Sequence, residues 1–306
     1  MPRFCAILAG LNMLGLVAIP VCADPIDPPS TAAQTTALEP LRARLRQLAN
    51  ALPGAIGMSV VDLRSGAAIA INGDENLPAA SIIKIPVMVE VLRQSALGRF
   101  SLERTVSLRA GDRDWGYGNL CDSAVGTTYT VRKLLWLMIT RSDNTATNML
   151  IRLVGRYHIN QTMLDLGLEQ TRLGDIIHSD GDVRELRTSA NDMMHLLALI
   201  SGRRLINADS SNLMLEILLA QHHNTLLPVG LPKGLPIAHK TGTLRDTLND
   251  VGVVELEGSP YIICVLTTHL RDLDIGERFI RRASKLTYES FVRQFVGAAD
   301  PAGTKL

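Results

Sequence analysis

Leucines recur at helical spacing through ALEPLRARLRQLANAL, residues 37–52, and predict an amphipathic helix. AIGMSVVDLRSGAAIAING (55–73) alternates instead, and reads as two strands around a turn at Arg64-Ser65-Gly66. From Ser81 to about Leu219 the periodicity is helical, clearest in VRKLLWLMIT (131–140), NTATNMLIRLVG (144–155) and SANDMMHLLALIS (189–201). Strand character returns in LNDVGVVELEG (248–258) and YIICVLTTHL (261–270), and ERFIRRASKLTYESFVRQFV (277–296) closes the chain as a helix. Strands at both ends around a helical middle predict an α/β (α+β) fold: one sheet built from both termini, with an all-α domain inserted. The expected boundaries are 38–76 plus 222–297 for the α/β domain and 77–221 for the helical one, with a tail at 298–306.

The first residues do not fit this pattern. Met1-Pro2-Arg3 is a positive start, Phe4 to Val21 an apolar run, and Val21-Cys22-Ala23 a small-residue cleavage pattern. Residues 1–23 therefore read as an export signal cleaved before Asp24, so the mature protein is expected in the periplasm or outside the cell with no membrane span. An uncleaved anchor is the alternative; a lipid on Cys22 is disfavoured by bulky Val21. DPIDPPSTAAQTTA (24–37) has almost nothing apolar to bury and reads as a tether.

The chain has 306 residues, 46% of them hydrophobic, and a formal net charge of +1. No long basic run occurs, so neither nucleic acid nor an anionic membrane is expected as partner. Of four cysteines, Cys121 and Cys264 remain after cleavage, and two buried free thiols are expected rather than a disulfide framework.

The chemistry begins in PAASIIKIPVM, 78–88, where Ser81 and Lys84 are the polar exceptions in an apolar run. Helical spacing of three puts them on one face. A serine is a weak nucleophile until a base takes its proton. A lysine becomes a base when burial favours its neutral form. Downstream stand Ser142-Asp143-Asn144, after a helix, and Lys240-Thr241-Gly242, where strand character resumes. Each tripeptide alone carries little, since an SDN also simply caps a helix. The ordered set S-x-x-K, S-D-N, K-T-G is the signature of class A β-lactamases and penicillin-binding proteins.

The chain resembles that family over roughly residues 38 to 296, most closely in GMSVVDLRSGAAIAINGDENLPAASIIK and TYTVRKLLWLMITRSDNTATNMLIRLVG. The resemblance implies the class A β-lactamase/penicillin-binding transpeptidase-like fold, an antiparallel sheet flanked by helices with an inserted all-α domain, and an acyl-enzyme mechanism. Ser81 would be the nucleophile, Lys84 its base, and Ser142 a proton relay to the departing nitrogen, helped by Lys240. Asn144 would hold the substrate's amide side chain, and Thr241, Gly242 and Thr243 would line the carboxylate side. The backbone N–H groups of Ser81 and Thr243 would form the oxyanion hole. It implies β-lactams or cell-wall D-Ala-D-Ala peptides as partners, a monomer, no cofactor and no metal.

One expected part is missing. Class A β-lactamases carry a glutamate in an E-x-x-L-N pattern after the TRL stretch, where it positions the deacylating water. Here the loop reads TRLGDIIHSDGDVRELRTSA, several residues short, with Asp175, Asp180, Asp182 and Glu185 outside that pattern. Glu185 is the first substitute to test, and Asp175 is expected to pair with Arg184 or Arg187. The departure, with His239 ahead of Lys240, points to a D-Ala-D-Ala peptidase of the penicillin-binding type. The alternatives are a true β-lactamase and a module that binds β-lactams without turnover. His222-His223 make a poor metal pair, since adjacent helical residues point about 100° apart. No H-E-x-x-H, C-x-x-C, phosphate loop or G-x-S-x-G elbow occurs. Trp115 and Tyr117 are candidates for the cleft mouth or for loop packing.

Overall fold

Alternation decides which face of each strand meets which helices. The computed structural model describes residues 38–179 and 185–299; the expected leader and tether (1–37) and residues 300–306 of the tail lie outside them. Helix α1 (Glu39–Asn50) is followed by β1 (Ala55–Asp62) and β2 (Ala68–Ile71). The last sheet strands are β8 (Ile237–Thr243), β9 (Leu248–Val254) and β10 (Tyr261–Thr268), and α8 (Leu273–Ala299) ends the fold. The helix thus runs past Val296, where the sequence pattern stops.

The five strands lie in the order β2-β1-β10-β9-β8. Every pairing is antiparallel, with Ser59 opposite Cys264 and Lys240 opposite Val251. Successive side chains point to opposite faces. Ile56, Met58, Val60, Ile263 and Val265 therefore pack with Leu41 and Leu45 of α1 and Phe279, Ile280 and Phe291 of α8. Ala238, Val251, Val253, Ile262, Cys264 and Leu266 face the other way, into the helical layer. Lys240 shares the parity of Ala238 and is delivered to that second face. Cys121 and Cys264 are free and buried.

The helical layer consists of α2 (Lys84–Ala96), α3 (Val131–Thr140), α4 (Asn144–Val154), α5 (Arg156–Asp165), α6 (Ala190–Ser201) and α7 (Ala208–Leu219). Helix α2 is apolar on nearly all sides and runs through the middle of this layer. Its one buried carboxylate, Glu90, is satisfied by Arg93, Gln94 and Thr162 at 2.6–2.9 Å. Four short strands interrupt the helices: β4 (Thr105–Ser107) with β5 (Thr128–Thr130), and β6 (Arg172–Leu173) with β7 (Leu186–Thr188), which also pairs with β3 (Leu77–Pro78). Two or three residues carry no readable period, so the sequence pattern gave helix throughout.

The residues leading to Ser81 are clamped between these layers. Ala79 N–H donates to Leu186 O at 2.7 Å. Buried Asn249 on β9 donates to Pro78 O and Ala79 O at 2.9 and 3.1 Å and accepts from Thr267 N–H at 3.0 Å. Asn249→Ala would leave these buried groups unpaired, which costs about 1–3 kcal/mol. Urea unfolding should show that loss; unchanged stability would mean the clamp contributes nothing.

Candidate active site

Ser81 sits in a single 3-10 turn, Ala80–Ile83, that runs directly into α2, so Lys84 opens that helix. Ala80 takes a positive φ of 48° to make the bend. Around the pair lie Ile82, Ile83, Ile85, Val87 and Met88, all fully buried, and Lys84 itself has 0% exposure. Its Nζ lies 3.1 Å from Ser81 Oγ, 2.7 Å from Ser142 O, 3.0 Å from Ser142 Oγ and 2.6 Å from Asn144 Oδ1. An ammonium has three protons for these four oxygens. A neutral amine has two, which the two shortest contacts to carbonyl oxygens absorb. Its lone pair is then left for a hydroxyl. Burial, then the charge of Lys240, holds the Lys84 pKa well below the ordinary lysine value, with Asp143 and Asp114 opposing.

The SDN segment joins α3 to α4. Ser142 has φ 54°, a strained conformation for a non-glycine residue. It brings both its carbonyl and its hydroxyl to Lys84. Asp143 is structural: its side chain caps α4 through Ala146 N–H at 2.8 Å and accepts from Asn119 and Leu120 N–H at 3.0 Å. Gly118 is required there, because a Cβ would lie 2.1 Å from Asp143 Oδ2. Helix capping and chemistry are thus both present in one tripeptide.

Lys240 reaches from β8 to Ser142 Oγ at 3.1 Å and Thr241 O at 2.9 Å. The Ser142 hydroxyl lies between two amines. Burial pushes the Lys240 pKa down to about 7, against the pull of Asp250. Behind it, His239 is held between Asp250 Oδ1 and Asn224 Oδ1, each at 2.9 Å. Gly242 lets β8 press on the nucleophile turn: a Cβ would meet Ala79 O at 2.9 Å and Ser81 N at 3.2 Å.

Two cavities adjoin Ser81, and both are lined by Ser81, Tyr117 and Thr243. The smaller, about 190 Å³, includes Ser142, Thr241, His223 and Thr225. His223 packs edge-on against Tyr117, and burial, then Lys240, lowers its pKa. The larger, about 700 Å³, adds Asn144, Ile177, Leu186, Leu244 and Arg245. Tyr117 therefore belongs to the cleft. Trp115 is absent from both walls and lies 68% exposed beneath the Arg113 guanidinium.

The loop after TRL presents an apolar residue to this cleft. Ile177 lines the larger cavity, and its backbone is gripped on both sides by Asn148: Ile177 N–H donates to Oδ1 at 2.7 Å and Nδ2 donates to Ile177 O at 2.9 Å. Asn148 lies four residues after Asn144 on α4, a spacing that shares one helix face and was open to sequence reading. Glu185 is exposed and absent from both cavity walls, and its carbonyl accepts from Gly174 N–H. Arg187 binds Asn76 through its Nε and Nη2, not Asp175. Asp180, Asp182 and Arg184 lie outside the described residues.

Known proteins place this geometry. The chain is similar to β-lactamase VEB-1 of Pseudomonas aeruginosa, 23% identical over 280 residues that cover 83% of this chain and 91% of that one. Among solved structures, PBP-A superposes with a TM-score of 0.80 and 31% identity, covering 87% of this chain and 99% of PBP-A. A mutant of PBP-A has been solved as an acyl-enzyme complex with penicillin G, at TM-score 0.79 and 30% identity over 87% and 99% of the two chains. An ancestral class A β-lactamase gives a TM-score of 0.74 and 29% identity over 82% and 100%. The family model of the β-lactamase enzyme family matches residues 40–291, and the chain belongs to that family as a serine hydrolase of class A β-lactamase-like fold.

Proposed function

We propose that the protein is an exported, penicillin-binding serine enzyme that is acylated on Ser81 and acts on D-Ala-D-Ala ends of cell-wall peptides rather than destroying β-lactams. Ser81 Oγ attacks the substrate carbonyl and passes its proton to Lys84 Nζ. The oxyanion so formed is received by the backbone N–H groups of Ser81 and Thr243. Ser142 Oγ hands a proton to the departing nitrogen as the acyl C–N bond breaks, and is re-protonated from the lysine pair. The positive charge of Lys240, with Thr241 and Thr243, holds the substrate carboxylate; Asn144 meets the acyl side in the larger cavity.

The observation that carries the peptidase reading is Ile177. An acyl-serine ester is hydrolysed by a water that must be held and deprotonated, and general-base help is typically worth about 10² to 10⁴-fold. At Ile177 an apolar side chain stands in the cavity beside Ser81, on a backbone fixed by Asn148. Among the described residues no carboxylate lines that cavity, whose wall on this loop continues with His178 and Ser179. The similarity to VEB-1 supports the second reading, a working β-lactamase.

Benzylpenicillin should add covalently to Ser81, and Ser81→Ala should abolish labelling; peptide mapping to another residue would overturn the assignment. The adduct should persist for minutes or longer. Ile177→Glu should speed its loss by about 10²-fold, the low end of general-base effects. Fast steady hydrolysis by the wild type, with no adduct accumulating by intact mass, supports the β-lactamase reading instead. A protein that never labels is a binding module.

Acylation should follow a bell-shaped pH profile. It rises as Lys84 loses its proton and falls as Lys240 loses its own near pH 7. The second-order rate constant reports the free enzyme, so this limb is read before substrate charge perturbs it. Lys240→Arg cannot deprotonate, so its falling limb should move to alkaline pH. An unmoved limb would show that another group sets it.

A further inference from the structure

Asp114 lies outside all three motifs, yet it holds three walls of the site together. Its Oδ1 accepts from Asn144 Nδ2 at 2.7 Å, from Gly116 N–H at 2.9 Å and from the Ser179 hydroxyl. Its Oδ2 accepts from Ser179 N–H at 2.6 Å. Its backbone N–H donates to Thr145 Oγ1 at 3.0 Å, and its carbonyl accepts from the same hydroxyl at 3.2 Å. One carboxylate, 5% exposed, thus ties the Tyr117 turn, the SDN helix and the end of the Ile177 loop. Gly116 makes the junction possible, since a Cβ there would lie 1.8 Å from Ser179 Oγ. Desolvation raises the Asp114 pKa, but the hydrogen bonds from Ser179, Asn144 and Gly116 outweigh it and the net shift is downward.

The consequence lies one bond further in. A carboxylate only accepts hydrogen bonds, so Asn144 must turn its Nδ2 toward Asp114. Its Oδ1 is thereby forced toward Lys84, where it takes the shortest of the lysine contacts, 2.6 Å. Were the amide reversed, its NH₂ would face the amine. A neutral Lys84 would then spend its lone pair accepting from Asn144 instead of from Ser81. We infer that Asp114 is a positioning residue which, as an acceptor-only anchor, fixes the orientation of Asn144 and so keeps the Lys84 lone pair free for the Ser81 proton.

This rests on Ser81 acylation with Lys84 as base, and the test separates the two ideas. Asp114→Asn nearly preserves shape but also donates, so it permits either orientation of Asn144. The rate constant of acylation by benzylpenicillin should fall by about 10-fold or more, toward the scale of general-base loss. The charges facing Lys84 are Lys240, Asp143 and Asp114. Removing the last lowers the Lys84 pKa further, so the rising limb of the pH profile should move to lower pH. A purely structural role would lower the melting temperature without moving that limb. Ser179→Ala, which leaves the Asp114–Asn144 contact in place, should keep the limb where it is. A second comparison covers the case in which Asp114→Asn does not fold. Asn144→Asp sets two carboxylates against each other, whereas Asp114→Asn/Asn144→Asp restores one donor and one acceptor across the same gap. The exchanged pair should acylate at least about 10-fold faster than Asn144→Asp alone, the coupling expected of groups in direct contact. An Asp114→Asn protein that acylates like wild type with an unmoved limb overturns the inference, as do equal rates for Asn144→Asp and the exchanged pair. A wild type that is never labelled fails the acylation reading itself.

Discussion

Two amines removed from water at one hydroxyl are the constraint on which the site depends. Lys84 and Lys240 are each fully buried, and each lies about 3 Å from Ser142 Oγ. Burial disfavours the charged form of a lysine, and a second positive charge nearby disfavours it again. The pair cannot hold two protons comfortably at neutral pH. In the proposed mechanism that discomfort makes one amine a base for Ser81 and leaves the other as the cation that meets an anionic substrate. The surrounding structure keeps water out and the oxygens in place. Apolar residues of α2 close the floor, Ser142 is bent into a positive φ, and Gly242 lets β8 touch the nucleophile turn.

The proposed reading rests on an asymmetry between the two halves of an acyl-transfer cycle. Attack on the substrate needs a proton acceptor at Ser81, and Lys84 is built in at 3.1 Å. Release needs an acceptor for water on the far side of the acyl group. There the described wall includes Ile177, His178, Ser179, Leu186 and Leu244 and no carboxylate. Asn148 holds the Ile177 backbone from both sides, and the side chain so placed in the cavity is apolar.

Much of this was legible in the sequence. Ser81, Lys84, Ser142, Asn144 and Lys240 were marked by ordered motifs, and the structure brings all five within a connected set of hydrogen bonds. The sheet built from both ends followed from alternation in long strands. The short strands β3 to β7 did not, because they form only through pairing partners distant in the chain. Asp114 and Ile177 were hidden for a related reason. Their roles come from what the fold sets opposite them, and one of two aspartates in DRDWGYG or an isoleucine in GDIIHS has no local mark. Glu185, the most prominent acid of the loop by sequence, is exposed just ahead of β7, whose first residue, Leu186, takes the inward place.

The central claim is that Lys84 is a neutral amine under working conditions. Its direct test is a pH titration of the lysine Cε resonances in ¹³C-labelled protein, with the Lys84 signal assigned by its disappearance in Lys84→Arg. The account predicts a midpoint well below the ordinary lysine value of about 10.4, moving further down when Asp114 loses its charge. A Lys84 signal that stays in the charged form until the ordinary lysine range would contradict it.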